Sequence, residues 1–186
     1  MLFPISVIEG DALKFDFMSW AKSRPENSGL CKVVGNLPYN ISSPLLFHLV
    51  SAAVIDEQVF MLQAEVVERM VAPAGSSDFS RLSVMLQARY HIEKVLEVSP
   101  EAFDPQPKVN SAVVRMIPRI DFNLNDVQWA LLERVVAAAF SQRRKMLRTN
   151  LQTFADTLSL TEIELKSRAQ DISVDRYIEW AKALAK

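Results

Sequence analysis

The chain has 186 residues, of which 49% are hydrophobic and 23% are charged, and its formal net charge is −1. These values are those of a globular protein with one substantial core, and the near-neutral charge excludes a general attraction to nucleic acid. The sequence has no apolar run of about 20 residues and no basic segment followed by an apolar one at its start, so we expect neither a transmembrane helix nor a signal peptide.

The cysteine and histidine content limits the chemistry further. Cys31 is the single cysteine, so an intrachain disulfide is excluded, and its apolar neighbours predict a buried thiol. A lone thiol fits a reducing compartment, and we expect a cytoplasmic protein. The two histidines, His48 and His91, are isolated from each other, and we expect no metal site.

The first two thirds of the chain alternate between strand and helix patterns. The predicted elements, in order, are strands at 5–9 and 30–35, a helix at 44–53 capped by Ser43 with Pro44 at its first position, a strand at 57–62, helices at 63–71 and 81–90, and strands at 92–98 and 112–117. The last two strands are joined by a proline-rich segment that is too short for a parallel crossover, so we expect an antiparallel pair.

From about residue 121 the patterns are helical only. Three caps support this: Asn125 or Asp126 for one helix, a capping box at 161–164, and Ser173 for a last helix. We therefore expect an α/β part over residues 1–119, followed by a small all-α domain over residues 120–186.

The most informative segment is the Asn-Leu-Pro-Tyr sequence that follows the second predicted strand. The Asn36 side-chain carbonyl and the Leu37 backbone carbonyl can both accept hydrogen bonds from one amino group. Pro38 stiffens the turn, and the Tyr39 ring offers a flat face on which a base can stack. Open α/β sheets place their ligands at the end of such a strand. The pattern is typical of an enzyme that transfers a methyl group to an exocyclic amine.

A basic cluster, which consists of Arg143, Arg144, Lys145 and Arg148, lies in a stretch of the chain without acidic residues, 140–151. Such a cluster is compatible with contacts to nucleic-acid phosphates. It is also compatible with an ordinary solvated helix face, and the residues alone favour that second interpretation.

Six segments carry a family resemblance, and they occur in the same order as in that family. They are Gly-Asp-Ala at 10–12, Gly-Asn-Leu-Pro-Tyr-Asn-Ile-Ser-Ser-Pro at 35–44, Phe-Met-Leu-Gln-Ala-Glu-Val-Val at 60–67, Arg-Leu-Ser-Val at 81–84, the segment from Phe-Asp-Pro-Gln-Pro onward at 103–115, and Phe-Ser-Gln-Arg-Arg-Lys at 140–145. Together they resemble the bacterial small-subunit ribosomal RNA adenine dimethyltransferases over essentially the whole chain.

The resemblance implies a Rossmann-like class I methyltransferase fold with a small C-terminal helical domain that binds rRNA. It also implies an activity, the transfer of methyl groups from S-adenosylmethionine to N6 of two adjacent adenosines near the 3′ end of 16S rRNA. The partner would be that rRNA within the small ribosomal subunit, and the role would be in the biogenesis of that subunit.

The resemblance assigns the target adenine to the turn formed by Asn36, Leu37, Pro38 and Tyr39. These residues would hold the amino group in line with the methyl donor, which is catalysis by positioning and electrostatics without a strong base. The base must leave its stack to reach them, and Phe103 would form the opposite wall of the stacking pocket. The alternative for Phe103 is a loop anchor that packs on the core.

The resemblance also names residues for the cofactor and for the RNA backbone. Asp11 would accept the amino group of the cofactor's adenine with the Ala12 backbone N–H nearby, and Asn36 would also touch the methionine end. An Asx turn or a helix cap is the alternative for Asp11, and both can hold together. For the basic cluster, the resemblance favours a contact to the rRNA backbone over a solvated helix face, and Lys108 is a lesser candidate for the same contact.

The sequence departs from the family in its glycines. Family members open with a strand, a loop of the Glu-x-Gly-x-Gly-x-Leu-Thr type and a second strand that ends in an acidic residue, whereas this chain has glycines only at positions 10, 29, 35 and 75. We therefore expect an incomplete Rossmann-like sheet without its first strands, in a fragment that binds S-adenosylmethionine weakly or not at all by itself.

Two further interpretations stay open. One is a large-subunit rRNA adenine methyltransferase of the macrolide-resistance type, although Leu37 and the segments at 103–115 and 142–145 fit the small-subunit family better. The other is a non-catalytic rRNA-binding or ribosome-assembly module. A DNA adenine methyltransferase is less favoured, because those enzymes usually carry Asp/Asn-Pro-Pro-Tyr. The patterns predict no oligomeric state.

Overall fold

The computed structural model describes residues 5–25, 29–50, 55–121 and 124–186. The strands are β1 (Lys32–Asn36), β2 (Glu57–Gln63), β3 (Tyr90–Val98) and β4 (Ser111–Pro118). The α-helices are α1 (Phe17–Lys22), α2 (Ser42–Val50), α3 (Ala64–Val71), α4 (Arg81–Arg89), α5 (Asp126–Ala139), α6 (Leu147–Asn150), α7 (Glu162–Lys166) and α8 (Val174–Leu184). Short 3₁₀ helices lie at Pro100–Ala102, Gln152–Phe154 and Ala169–Asp171. Within these described ranges, no helix is long and apolar enough to cross a membrane.

The four strands form one mixed sheet in the order β1-β2-β4-β3. β1 and β2 are parallel, with helix α2 in the connection between them, and Asn36 lies in register with Met61. β4 pairs antiparallel with both β2 and β3, which confirms the predicted antiparallel pair. Helices and strands are interspersed up to β4, so the α/β class is confirmed.

The core of the α/β part lies on one face of the sheet. Along β2, buried and half-buried residues alternate strictly, and Gln58, Phe60 and Leu62 point to the buried side. This face packs against α2, α3 and α4, which contribute residues such as Leu46 and Val67 to the same hydrophobic cluster. Period-two burial on a strand against apolar helix faces is the expected arrangement for an α/β layer.

Helix α4 links this first cluster to a second one. Leu82 and Leu86 belong to the first cluster, whereas Val84 and Met85 belong to the second, so the helix is buried on two sides. The second cluster is completed by residues of α5 and α8, among them Tyr177. The division into parts at 1–119 and 120–186 stays a prediction, and the second cluster draws residues from both sides of that boundary.

Several local predictions are confirmed. Asn125 caps α5 and Thr161 caps α7, each within a capping box, and Ser173 caps α8. Cys31 is buried, as expected for a thiol in an apolar strand segment. Sequence signals between neighbouring residues were therefore sufficient to predict these helix caps and the buried thiol.

Two predictions near the N-terminal end are wrong, and one helix was not predicted. Residues 5–9 do not form a strand, and Ile5 and Val7 are exposed. Helix α1 follows them, because Asp16 accepts a hydrogen bond from the Ser19 N–H and caps a short segment. Helix α2 begins at Ser42, so Ser43 is not its cap, and residues 51–53 of the predicted helix lie outside the described residues.

An ion pair follows β4, where the chain leaves the sheet for α5. The Arg119 guanidinium donates to both carboxylate oxygens of Asp121, at 2.9 and 2.6 Å, and also lies 3.7 Å from a carboxylate oxygen of Asp175 at the start of α8. The hydrogen bond from Arg119 lowers the pKa of Asp121 to about 2. The charged form of Asp121 is therefore favoured in the folded state.

We predict that this ion pair makes stability depend on pH in the acid range. Because the folded pKa is below the unfolded value, the contribution of Asp121 is present above about pH 4 and is lost as the pH falls toward 2. The urea midpoint of the wild type should therefore fall more between pH 5 and pH 2.5 than that of Asp121→Asn. Asp156→Asn, which changes an exposed carboxylate, is the control. Parallel curves for wild type and Asp121→Asn would contradict the prediction.

Candidate active site

The Asn-Leu-Pro-Tyr turn continues directly from β1. The Leu37 N–H donates to the Met61 carbonyl at 3.1 Å, so the ladder with β2 extends one residue beyond Asn36. The Leu37 side chain is buried in the first cluster, while Asn36 and Pro38 are exposed. A Cβ on Gly35 would lie 3.0 Å from Leu37 Cδ2, so a glycine there leaves room for this packing. One buried leucine thus fixes the turn, and its polar and aromatic neighbours project from the sheet.

The end of the turn is tied to α2 and to β4. The Ser42 hydroxyl donates to the Tyr39 carbonyl at 3.1 Å, and the Ile41 N–H donates to the Pro38 carbonyl at 3.2 Å. The Tyr39 phenol oxygen lies 2.9 Å from the hydroxyl oxygen of Ser111, the first residue of β4. Backbone and side chain of Tyr39 are therefore both held, while the residue is 37% exposed.

The turn faces the proline-rich loop between β3 and β4. An open cavity of about 320 Å³, called the turn cavity here, is lined by Asn36, Leu37, Pro38, Tyr39, Phe103, Pro105 and Pro107. This volume is at the lower end of the range for small-molecule sites. The fold thus brings together all five residues that the sequence predicted for the catalytic site. Lys108 follows in the same loop, is exposed, and is not among the lining residues.

Ala12 lies beside β1 rather than at its end, and Asp11 precedes it in the chain. One carboxylate oxygen of Asp11 accepts from the Leu13 N–H at 2.9 Å, which confirms the Asx-turn alternative, and the other lies 3.9 Å from the Lys14 ammonium nitrogen. Ala12 lines a second cavity of about 440 Å³, the flank cavity, whose other lining residues are Ser6, Ile8, Gly10, Phe15, Phe17, Trp20, Lys32, Val33 and Val34. The predicted cofactor residues therefore do not all lie at one cavity. Ala12, which follows Asp11 in the chain, lines the flank cavity, and Asn36 lines the turn cavity.

The basic cluster lies on the exposed turn after α5 and on α6. Arg144, Lys145 and Arg148 are exposed. Arg143 is also exposed, and its guanidinium donates a hydrogen bond to the Ser77 carbonyl in the loop between α3 and α4. The Asn150 side chain donates to the carbonyls of Ala139 and Gln142, which fixes the path of the turn. Four positive charges are thus displayed together on an ordered turn.

Some residues of the site were not found from the sequence. Ser111 and Ser42, which hold Tyr39, are both buried, and Pro105 and Pro107 line the turn cavity beside Phe103. Burial of a polar residue at the start of a strand is the signal that distinguishes Ser111, and it is visible only once the sheet is known. Among the described residues, no group of three His, Cys, Asp or Glu side chains is placed to hold a metal ion.

A comparison with models of protein families shows which family the chain belongs to. The model of the family described as "Ribosomal RNA adenine dimethylase" matches residues 3–186. The chain belongs to this family. The resemblance drawn from the six sequence segments is confirmed.

Two relatives show how far the likeness extends. The chain is 56% identical over 179 residues to "Ribosomal RNA small subunit methyltransferase A" of Burkholderia mallei (strain SAVP1), and the match covers 95% of the chain's own length. It is 55% identical over 179 residues to the protein of the same name from Burkholderia multivorans (strain ATCC 17616 / 249). In both cases the match spans 64% of the relative, so the chain spans slightly less than two thirds of these proteins.

Two solved structures share the fold. A dimethyladenosine transferase from Plasmodium falciparum matches with a TM-score of 0.74 and 24% identity, over 93% of this chain and 70% of that one. The 23S rRNA methyltransferase ErmE matches with a TM-score of 0.60 and 20% identity, over 90% of this chain and 70% of that one. At these identities the likeness shows the fold alone, and it confirms the predicted Rossmann-like architecture.

We predict that the buried leucine of the turn contributes strongly to stability. Leu37→Ala removes a side chain of the first cluster and should lower the free energy of unfolding by about 2 to 5 kcal/mol. Leu30→Ala is the matched control, because Leu30 precedes the same strand and is exposed. Chemical denaturation of both variants checks the prediction, and equal small effects would show that Leu37 does not anchor the turn.

Proposed function

We propose that this chain serves the transfer of methyl groups to N6 of two adjacent adenosines near the 3′ end of 16S rRNA in the small ribosomal subunit. The observation that carries the proposal is the turn cavity, where the Asn-Leu-Pro-Tyr turn faces Phe103 in a member of the ribosomal RNA adenine dimethylase family. The names of the relatives support a small-subunit substrate, and a substrate within the ribosome implies a cytoplasmic protein.

The turn offers what an exocyclic amine requires. The Asn36 side-chain carbonyl and the Leu37 backbone carbonyl are the two acceptors for the hydrogens of N6. Two acceptors on one amine fix its orientation and favour the lone pair that must attack the methyl group. No strong base is required for this role, because positioning and local dipoles lower the barrier. Asn36 can carry this contact, since it is exposed at the end of the parallel strand.

The aromatic walls account for the selection of a base that has left its stack. Tyr39 and Phe103 line the turn cavity, and neither residue is fully buried. A purine inserted between them gains stacking energy of about 1 to 3 kcal/mol per base. This gain offsets part of the unstacking cost of an extruded nucleotide.

Ala12 of the flank cavity and its chain neighbour Asp11 fit one end of S-adenosylmethionine. The Asp11 side chain is half-exposed and can accept from an adenine amino group, and Ala12 lies beside an aromatic lining that includes Phe15 and Trp20. In this role Asp11 and Ala12 would hold the adenine, and Asn36 would contact the methionine end. When bound, the cofactor supplies a methyl group on a positively charged sulfur.

The basic cluster is the proposed contact to the rRNA backbone. Arg144, Lys145 and Arg148 project into solvent and would position the substrate through its phosphates rather than read its sequence. Arg143 is partly engaged by the Ser77 carbonyl and so supplies less of this contact. Lys108, in the loop that carries Phe103, is a lesser candidate near the turn cavity.

A non-catalytic rRNA-binding or ribosome-assembly module is the second candidate function. One observation favours it: the exposed basic cluster accounts for rRNA binding without requiring a methyl donor. The same RNA contacts serve either function, so methyl transfer itself distinguishes them.

We predict that Asn36→Ala strongly reduces methyl transfer to immature small subunits. The loss should be about 10²-fold or more, in the range observed when one positioned hydrogen-bonding group is removed from an active site. Transfer of tritiated methyl groups from S-adenosylmethionine measures it. Gln106→Ala, which changes an exposed amide in the facing loop, is the control. Binding of subunits without methyl transfer by the wild-type chain would favour the non-catalytic module.

We predict that the residues of the basic cluster contribute unequally to the salt dependence of RNA affinity. Arg144→Ala combined with Lys145→Ala should reduce the slope of log affinity against log salt by about 0.7 to 0.9 for each phosphate that is no longer neutralised. Arg143→Ala should change the slope less, because its guanidinium bonds to Ser77. Lys166→Ala, in α7, is the control for a change of charge alone. Titration of small subunits or of their rRNA at several salt concentrations gives the slopes, and an unchanged slope in the double variant would refute the assignment.

A further inference from the structure

Ser111 occupies a position from which it can control the turn cavity. It is the first residue of β4 and is only 1% exposed, and its hydroxyl lies 2.9 Å from the Tyr39 phenol oxygen. In the sheet it is in register with Gln63 on one side and with Val98 on the other. Because strands flank it on both sides, Ser111 is a fixed point relative to the turn.

The hydrogen bond constrains a ring that is otherwise open to solvent. Tyr39 is 37% exposed, and its phenol oxygen contacts a buried hydroxyl. Rotation about the Cα–Cβ bond swings a tyrosine ring between staggered rotamers, so a ring held only at its base can change the direction of its axis. A bond at the tip holds that axis in one rotamer. A buried serine hydroxyl in turn needs a partner, and Tyr39 supplies it.

The same residue marks the end of the facing loop. The chain runs from Phe103 through the proline-rich loop directly into Ser111, and the neighbouring Asn110 carbonyl accepts from the Ala64 N–H at 2.9 Å. The loop is therefore anchored to β2 and α3 at the point where Ser111 reaches across to Tyr39. One short contact connects the two walls of the turn cavity.

We propose that Ser111 is a positioning residue that sets the orientation of the Tyr39 ring, and thereby the spacing between Tyr39 and Phe103 into which a purine fits. This role rests on the proposed function, because it assigns the two rings to base stacking. Ser111 itself does not touch the base, and it acts through the phenol of Tyr39.

A double-mutant cycle tests this role. Ser111→Ala, Tyr39→Phe and the combination of both are compared in the full chain with a hairpin of the 16S rRNA 3′ end that carries 2-aminopurine next to the two target adenosines, which keep their amino groups. Each single variant should weaken hairpin affinity by about 2- to 10-fold, the effect of one ordinary hydrogen bond. The combination should weaken it no further, since either change already breaks the same contact.

Stability in urea provides a second readout that does not depend on RNA. Tyr39→Phe leaves the buried Ser111 hydroxyl without its partner, and removal of that hydroxyl relieves the penalty. The urea midpoint of the double variant should therefore equal or exceed that of Tyr39→Phe. Ser83→Ala is the matched control, since Ser83 is a buried serine whose hydroxyl donates to the Arg69 carbonyl on another helix. It should change the midpoint but not hairpin affinity.

Two results would overturn the positioning role: hairpin affinity that is unchanged in Ser111→Ala, or affinity that falls equally when Ser111→Ala is made in the wild type and in the Tyr39→Phe variant. Failure of the proposed function gives a different result. In that case Tyr39→Ala and Phe103→Ala would also leave affinity and 2-aminopurine fluorescence unchanged, while the midpoint cycle would still report the Ser111–Tyr39 contact.

Discussion

The extension of the β1–β2 ladder to Leu37 is the constraint on which the site depends. A parallel strand fixes the direction of each backbone group, and the Leu37 N–H to Met61 carbonyl bond holds the first residue of the turn in that direction. Burial of the Leu37 side chain makes this position costly to change. Asn36 is left at the end of its strand and exposed to solvent, where the proposed substrate amine can reach it. The chemistry of the site is thus a result of strand pairing and of one apolar contact.

The helical region is tied to the same framework through α4. Because one face of this helix belongs to the first cluster and another to the second, α5 and α8 are packed on an element that also covers the sheet. The Arg143 bond to Ser77 adds a link between the basic turn and the loop that precedes α4. The basic cluster is therefore placed by packing as well as by its own turn. Such placement is what a surface needs if it is to orient an RNA for a pocket on another part of the protein.

Local sequence patterns predicted much of this structure, and the exceptions have physical causes. Strand β2 and the caps of α5, α7 and α8 depend on neighbouring residues, and they were predicted correctly. The alternation at 5–9 predicted a strand, but a strand requires a partner for its backbone groups, and Ile5 and Val7 are exposed here. The contact between Tyr39 and Ser111 spans 72 residues of sequence, and that between Arg143 and Ser77 spans 66. No local pattern encodes such pairs. The hydrogen bond that holds the Tyr39 ring and the one that engages Arg143 could therefore be found only in the three-dimensional structure.

The central claim is that the turn cavity accepts an adenine through its amino group. Titration of adenosine into protein with ¹³C-labelled Phe and Tyr and ¹⁵N-labelled Asn, followed by NMR, tests it most directly, with inosine as the analogue that lacks the amino group. The account predicts that the ring signals of Tyr39 and Phe103 and the side-chain amide of Asn36 shift together with adenosine and shift less with inosine. Signals of these three residues that do not move, or that move equally with both nucleosides, would contradict it.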